Sequence, residues 1–146
     1  MNSGSQIRIL DSEELLDTLI ELRELAVSTP VIVEGKKDVE CLGKLGVKGN
    51  IIPLNQGMSI IDFCSDLASA HEKVFILTDW DTKGNILCSK LKKGCKACDI
   101  SFDTRLRGRL AALLKKDIKD IESIHSFITK NHPGLLDRFE RREEIA

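Results

Sequence analysis

Apolar positions near the start of the chain recur at helical spacing. Leu15, Leu19, Leu22 and Ala26 share one stripe, Asp11 and Glu14 stand three apart as N-cap and capping-box partner, and Pro30 closes the run. A helix is therefore predicted over 11–27. The next stretch changes period: Val31-Ile32-Val33 is a continuous run of β-branched residues ending in Glu34-Gly35, the pattern of a strand buried on both faces. Helical spacing returns with Val39, Leu42 and Leu45, and Gly46 and Gly49 stop it. Residues 50–54 read as a second strand, whose last ladder position Pro53 weakens or which Pro53 places near an edge, followed by a helix over 58–70.

A third strand is predicted over 73–78, delivering Asp79 and Asp81, and then a helix over 85–93 ended by Gly94. Residues 96–102 alternate weakly as a fourth strand. Asp103 or Thr104 caps a helix through 116, with Leu106, Leu110, Leu113 and Leu114 inward and Arg105, Arg107 and Arg109 fanning outward. A helix over 118–130, a break at His132-Pro133-Gly134 and a charged tail helix over 135–144 complete the chain. Strand and helix alternate from Val31 onward, so the expected fold is α/β: a mainly parallel four-stranded sheet with helices on both faces. One domain spans 1–146, with an α/β core at about 31–102 and a helical extension at about 103–144.

Composition narrows the setting. A chain of 146 residues is long enough to bury roughly 70% of its unfolded surface. It has no apolar run near the ~20 residues of a membrane span, and residues 1–6 carry no signal-peptide core. Five cysteines in a well-patterned chain suit a reducing compartment, so a cytoplasmic, non-membrane protein is expected. Cys95-x-x-Cys98 is half a zinc motif with no second half, and packing is its expected role. The net charge of −1 conceals segregation: residues 1–82 hold 7 basic and 14 acidic side chains, and residues 83–119 hold 11 and 3. A basic block directly after the second acidic stretch can steer a polyanion toward it, or form a solvated helical face.

In an open α/β sheet, ligands bind beyond the C-terminal strand ends. Neighbouring first and third strands would bring Glu34, Asp79 and Asp81 together there. Three carboxylates ~4 Å apart repel by roughly 4 kcal/mol per pair at an effective dielectric near 20. Either a proton or a divalent cation must relieve that. All-oxygen ligands without a nearby histidine or cysteine favour Mg²⁺, with Mn²⁺ as substitute, and such sites bridge protein carboxylates to phosphate. Alternation at a strand end turns Asp79 and Asp81 to one side, and Glu34 is then a third ligand or a general acid/base. Lys37 and Lys83 balance charge, and Gly35 and Gly84 admit close backbone approach. Trp80, the one tryptophan, either packs at the strand end or stacks on a base. A small phosphatase, or a phosphoacceptor aspartate of response-regulator type, is the reading that involves no nucleic acid.

Val33-Glu34-Gly35-x-x-Asp38, the strand and turn from Ile52 to Gly57, and Ile76-Leu77-Thr78-Asp79-x-Asp81-x-x-Gly84 resemble the Toprim domain, the metal-binding module of topoisomerases, bacterial primases, some nucleases and recombination proteins. The resemblance covers about 31–102. It is greatest to short stand-alone Toprim proteins of archaea and bacteria and next to the 5S ribosomal RNA maturases. It implies a Rossmann-like fold, Glu34 as general acid/base for nucleotidyl transfer or strand cleavage, Asp79 and Asp81 as Mg²⁺ ligands, and Asp38 at a recurrent acidic position. The expected partner is RNA or DNA, touched by Lys37, Lys83, Arg105, Arg107 and Arg109, with a partner protein or a second copy left open. Lys83 stands where gyrase-like members have a third aspartate, and Asn85 where several members have a glutamate. With no tyrosine in the chain, tyrosine-mediated DNA cleavage is excluded for this polypeptide alone. Two functions follow: Mg²⁺-dependent phosphodiester chemistry, or a non-catalytic metal-binding module that completes a larger complex.

Overall fold

The structure is a computed structural model that describes residues 9–138. Four parallel strands lie in the order β2-β1-β3-β4: β1 Val31–Val33, β2 Ile51–Pro53, β3 Lys73–Ile76 and β4 Ser101–Asp103. Helices α1 Ile9–Ala26, α2 Lys36–Lys44, α3 Ile60–Ala70, α4 Thr82–Ala97, α5 Arg105–Leu114 and α6 Ile124–Asn131 cover both faces. β1 is central because its three residues are fully apolar and fully buried. β2 is an edge strand, where Pro53 removes no ladder bond that matters.

Alternation along the strands divides the core in two. Val31, Val33, Phe75 and Leu77 face a layer built from Leu15, Leu16, Leu19 and Leu22 of α1 together with Leu106, Leu110 and Leu114 of α5. Ile32, Val74 and Ile76 face the other way, onto Phe63, Cys64 and Leu67 of α3 and Cys88, Leu91 and Cys95 of α4. Both layers are apolar and closely filled, so β1 and β3 sit as neighbours with little freedom, and their C-terminal ends share one edge.

Several boundaries differ from the sequence expectation. α1 already includes Ile9, so Asp11 lies inside the helix rather than capping it. α4 runs from Thr82 to Ala97, well beyond the predicted 85–93. Gly94 does not end the helix; a Cβ there would lie 2.6 Å from Cys64 Sγ, so the glycine is what lets α4 approach α3. The fourth strand consequently begins at Ser101 instead of 96. In place of a helix over 118–130, a turn spans 115–123 and α6 starts at Ile124. Residues 133–138 are helical, and the remainder of the predicted tail helix lies outside the described residues. All five cysteines are free thiols.

Candidate metal centre

β3 ends at Ile76, two residues short of the expected strand, so Asp79 and Asp81 do not sit on a strand end. Leu77 still donates to Ile32 O at 2.8 Å, but the next N–H groups leave the ladder. Asp79 N donates to Glu34 Oε2 at 2.9 Å and Trp80 N to Lys119 O at 2.9 Å. The two aspartates therefore meet through a loop, and the strand alternation predicted for them is replaced by hydrogen bonds made across the sheet edge.

That loop is tightly closed. Thr78, fully buried, donates its hydroxyl to Gly84 O at 2.9 Å. Asp81 is the N-cap of α4, accepting Gly84 N on Oδ1 at 2.7 Å. Gly84 is required for a steric reason: a Cβ would fall 2.0 Å from the Asp79 carbonyl oxygen. Gly35 has no such constraint, being extended at φ −157 with open space where a Cβ would go. Gly35 is the N-cap of α2, where Asp38 Oδ2 accepts Gly35 N at 3.0 Å.

Glu34, Asp79 and Asp81, each half-buried, bring one carboxylate oxygen apiece to within 4.8 Å of one another. None of the three forms an ion pair among the described residues. Asp79 shows the consequence: burial pushes its carboxyl up from 3.8 to about 7, the charges of Glu34, Asp38 and Asp120 add to the rise, and the Ile121 N–H on Oδ1 at 2.8 Å opposes it. Asp38, nearly fully buried behind the cluster, is also raised, first by burial and then by Glu34, Glu122 and Asp120 despite the Gly35 N–H. A hard divalent cation would supply the missing positive charge, and this oxygen-only donor set fits one.

The basic residues proposed to touch nucleic acid are dispersed. Lys83 is exposed and shares the wall of a small cavity with Glu34. Lys37 is exposed on a polar groove of about 310 Å³ between α2 and α6. Arg107 does not fan outward: its Nε donates to Thr78 O at 2.9 Å, and its Nη2 to Asp79 O and to Asn85 Oδ1. Arg109 pairs with Glu21 at 2.6 Å and Arg105 with the same carboxylate at 2.9 Å, which ties α5 to α1 and holds Glu21 below the usual carboxylate range. Trp80 packs, at 8% exposure, and its Nε1 donates to Ile118 O at 2.8 Å, leaving no ring face for a base.

Two roles at the site were not read from the chain: that of the 115–123 turn, and that of Arg107, which was expected to touch nucleic acid. The 115–123 turn reaches the site through Lys119 O, Ile118 O and the Ile121 N–H, about forty residues from the aspartate loop. Arg107 acts as a positioning residue for that loop, one turn into a helix whose other arginines face elsewhere. Only the pairing of an aspartate-rich loop with a later basic helix hinted at the second.

A parallel α/β domain with converging carboxylates beyond its strand ends is a metal-site architecture. Residues 29–113 match the Toprim domain family. The chain is 35% identical to a UPF0292 protein of Methanosarcina acetivorans over 91% of this chain and 92% of the relative, and 33% identical to one of Methanocaldococcus jannaschii over 81% and 92%. A solved structure of a putative protein from Aquifex aeolicus superposes with a TM-score of 0.64 at 30% identity, covering 75% of this chain and 96% of that one. The chain belongs to the Toprim family, among the small archaeal UPF0292 proteins. Toprim domains are in general metal-binding modules of nucleic-acid processing, and Glu34, Asp79 and Asp81 form a group whose spacing could hold a metal ion. Among the described residues no helix is long and apolar enough to cross a membrane.

Proposed function

We propose that this protein performs Mg²⁺-dependent phosphodiester chemistry on RNA or DNA, most directly hydrolysis. The observation that carries the reading is the convergence of Glu34, Asp79 and Asp81 oxygens within 4.8 Å, with no ion pair to any of them among the described residues. A Mg²⁺ or Mn²⁺ ion held by these carboxylates would offset charge on the non-bridging oxygens of a phosphate. The chain's own residues do the rest. Glu34 is oriented through Oε2 by the Asp79 N–H, which leaves Oε1 to accept a proton from an attacking water. Asp79 and Asp81 are held by the Ile121 and Gly84 N–H groups, so their geometry precedes substrate binding. Lys83, at the mouth of the cavity that Glu34 also lines, steers the phosphate chain.

The test is to incubate the pure protein with Mg²⁺ or Mn²⁺ and structured RNA, single-stranded DNA and duplex DNA. Cleavage that Glu34→Gln abolishes supports hydrolysis. Tight metal-dependent binding without turnover on every substrate overturns it in favour of a binding module, for which the absence of tyrosine speaks.

A further inference from the structure

Beside the carboxylates lies a cavity of about 180 Å³. Its walls are apolar: Met58 and Ile60 from the segment entering α3, Phe63 of α3, and Leu87 of α4. Its rim is polar, formed by Asn55, Gln56 and Lys83, and Glu34 belongs both to this cavity and to the metal centre. A site of this size falls below the roughly 300–1,000 Å³ of pockets for drug-sized ligands, so it holds one ring system rather than a larger molecule.

We infer that this cavity receives a single unstacked nucleobase of the substrate, placing the attached phosphate at the Glu34–Asp79–Asp81 cluster; this rests on the phosphodiester reading above. Apolar walls with an aromatic edge suit the faces of a base. The rim suits its edge, because a side-chain amide offers both donors and an acceptor. Asn55 Oδ1 already accepts the Gly57 N–H at 2.9 Å, which leaves its amide donors for a ligand, and Gln56 is exposed with no hydrogen bond among the described residues. The lysine ammonium at the mouth complements the phosphate that must lie between base and carboxylates. A base reaches the cavity only when it has left its stack, so the substrate class is a single strand or a frayed end rather than an intact duplex. A second groove of about 380 Å³ shares Asn55, Met58 and Phe63 and continues along the β2 edge to His71, which provides a path for the neighbouring nucleotide.

The full chain is titrated with AMP, CMP and ribose 5-phosphate in the presence of Mn²⁺, with binding read by calorimetry. The nucleotides are expected to bind about tenfold or more tightly than ribose 5-phosphate. Leu87→Trp, at a partly exposed wall position, is expected to erase that difference while leaving ribose 5-phosphate affinity unchanged; Met58→Trp serves as a second block if the first fails to fold. A single-stranded oligonucleotide that competes for the site and loses affinity in the blocked variant assigns the base to a strand rather than a free nucleotide. Equal affinities for nucleotide and ribose 5-phosphate, or a preference that both blocked variants retain, overturn the cavity assignment and leave the phosphodiester reading standing. Binding of neither ligand overturns both.

Discussion

The Glu34 carboxylate accepts the backbone N–H of Asp79 at 2.9 Å, joining the end of β1 to the loop after β3. This one bond places the proposed proton acceptor and the proposed metal ligand in contact. It also takes the Asp79 N–H out of the sheet and so ends the strand. Glu34→Gln keeps an acceptor for that N–H and removes the charge. The variant is expected to fold with a melting temperature within a few degrees of the parent, to bind Mn²⁺ about tenfold or more weakly, and to lose turnover, as checked by thermal melts, calorimetry and cleavage assays.

Asp79 makes the metal-free protein sensitive to alkali. Its carboxyl titrates near 7 in the folded chain against 3.8 ordinarily, so the folded state holds the proton more tightly than the unfolded one. Its contribution to stability is complete below pH 4 and is lost as pH rises through 7. Metal-free melts from pH 5 to 8.5 should show that decline, and a divalent cation should reverse it at the upper end. Asp79→Asn retains an acceptor for the Ile121 N–H without the charge; it is expected to be more stable than the parent at pH 8 by roughly 1–2 kcal/mol and to show no response to metal.

Asp81 holds two roles that substitution can separate. Asn also caps helices well, so Asp81→Asn should retain stability while weakening metal binding. Asp81→Ala should lose both, with roughly 1 kcal/mol of stability going with the cap. Denaturant unfolding and Mn²⁺ titration of the two variants distinguish these outcomes.

Two glycines of the same motif pair should respond oppositely. Gly84→Ala puts a Cβ 2.0 Å from the Asp79 oxygen and forces the loop open, at a cost of roughly 2–3 kcal/mol together with loss of metal binding. Gly35→Ala meets nothing within 4 Å and should cost no more than about 1 kcal/mol, the difference between glycine and alanine at an N-cap. Urea midpoints measure both.

Arg107 holds the Thr78 and Asp79 carbonyls from behind without touching the carboxylates. Arg107→Lys keeps the charge but cannot make the forked contact, and a roughly tenfold loss of Mn²⁺ affinity is expected with helix content unchanged by circular dichroism. An unchanged affinity would show that the loop holds its shape without it.

Much of this was legible in the chain. β1 was readable because Val31-Ile32-Val33 has one environment on both faces, and Glu34, Asp79 and Asp81 were readable because each follows an apolar run and precedes a helix. Gly94 misled because a glycine inside a lysine-rich helix looks the same as a stop until Cys64 of α3 is seen to occupy the space of its missing side chain. Trp80, Arg107 and the 115–123 turn were opaque for a related reason. Their partners are backbone oxygens and N–H groups, which every residue carries and no sequence pattern marks.

The sequence by itself determined the parallel α/β fold and pointed to Glu34, Asp79 and Asp81 as neighbours at one sheet edge, because burial periodicity is a local property. Tertiary structure alone decided how Asp79 and Asp81 meet, that Arg105 and Arg109 spend their charge on Glu21, and that an apolar cavity opens beside Glu34. The reason is physical. Those arrangements depend on backbone groups and on side chains tens of residues apart, and only the packed sheet edge brings them within hydrogen-bonding distance.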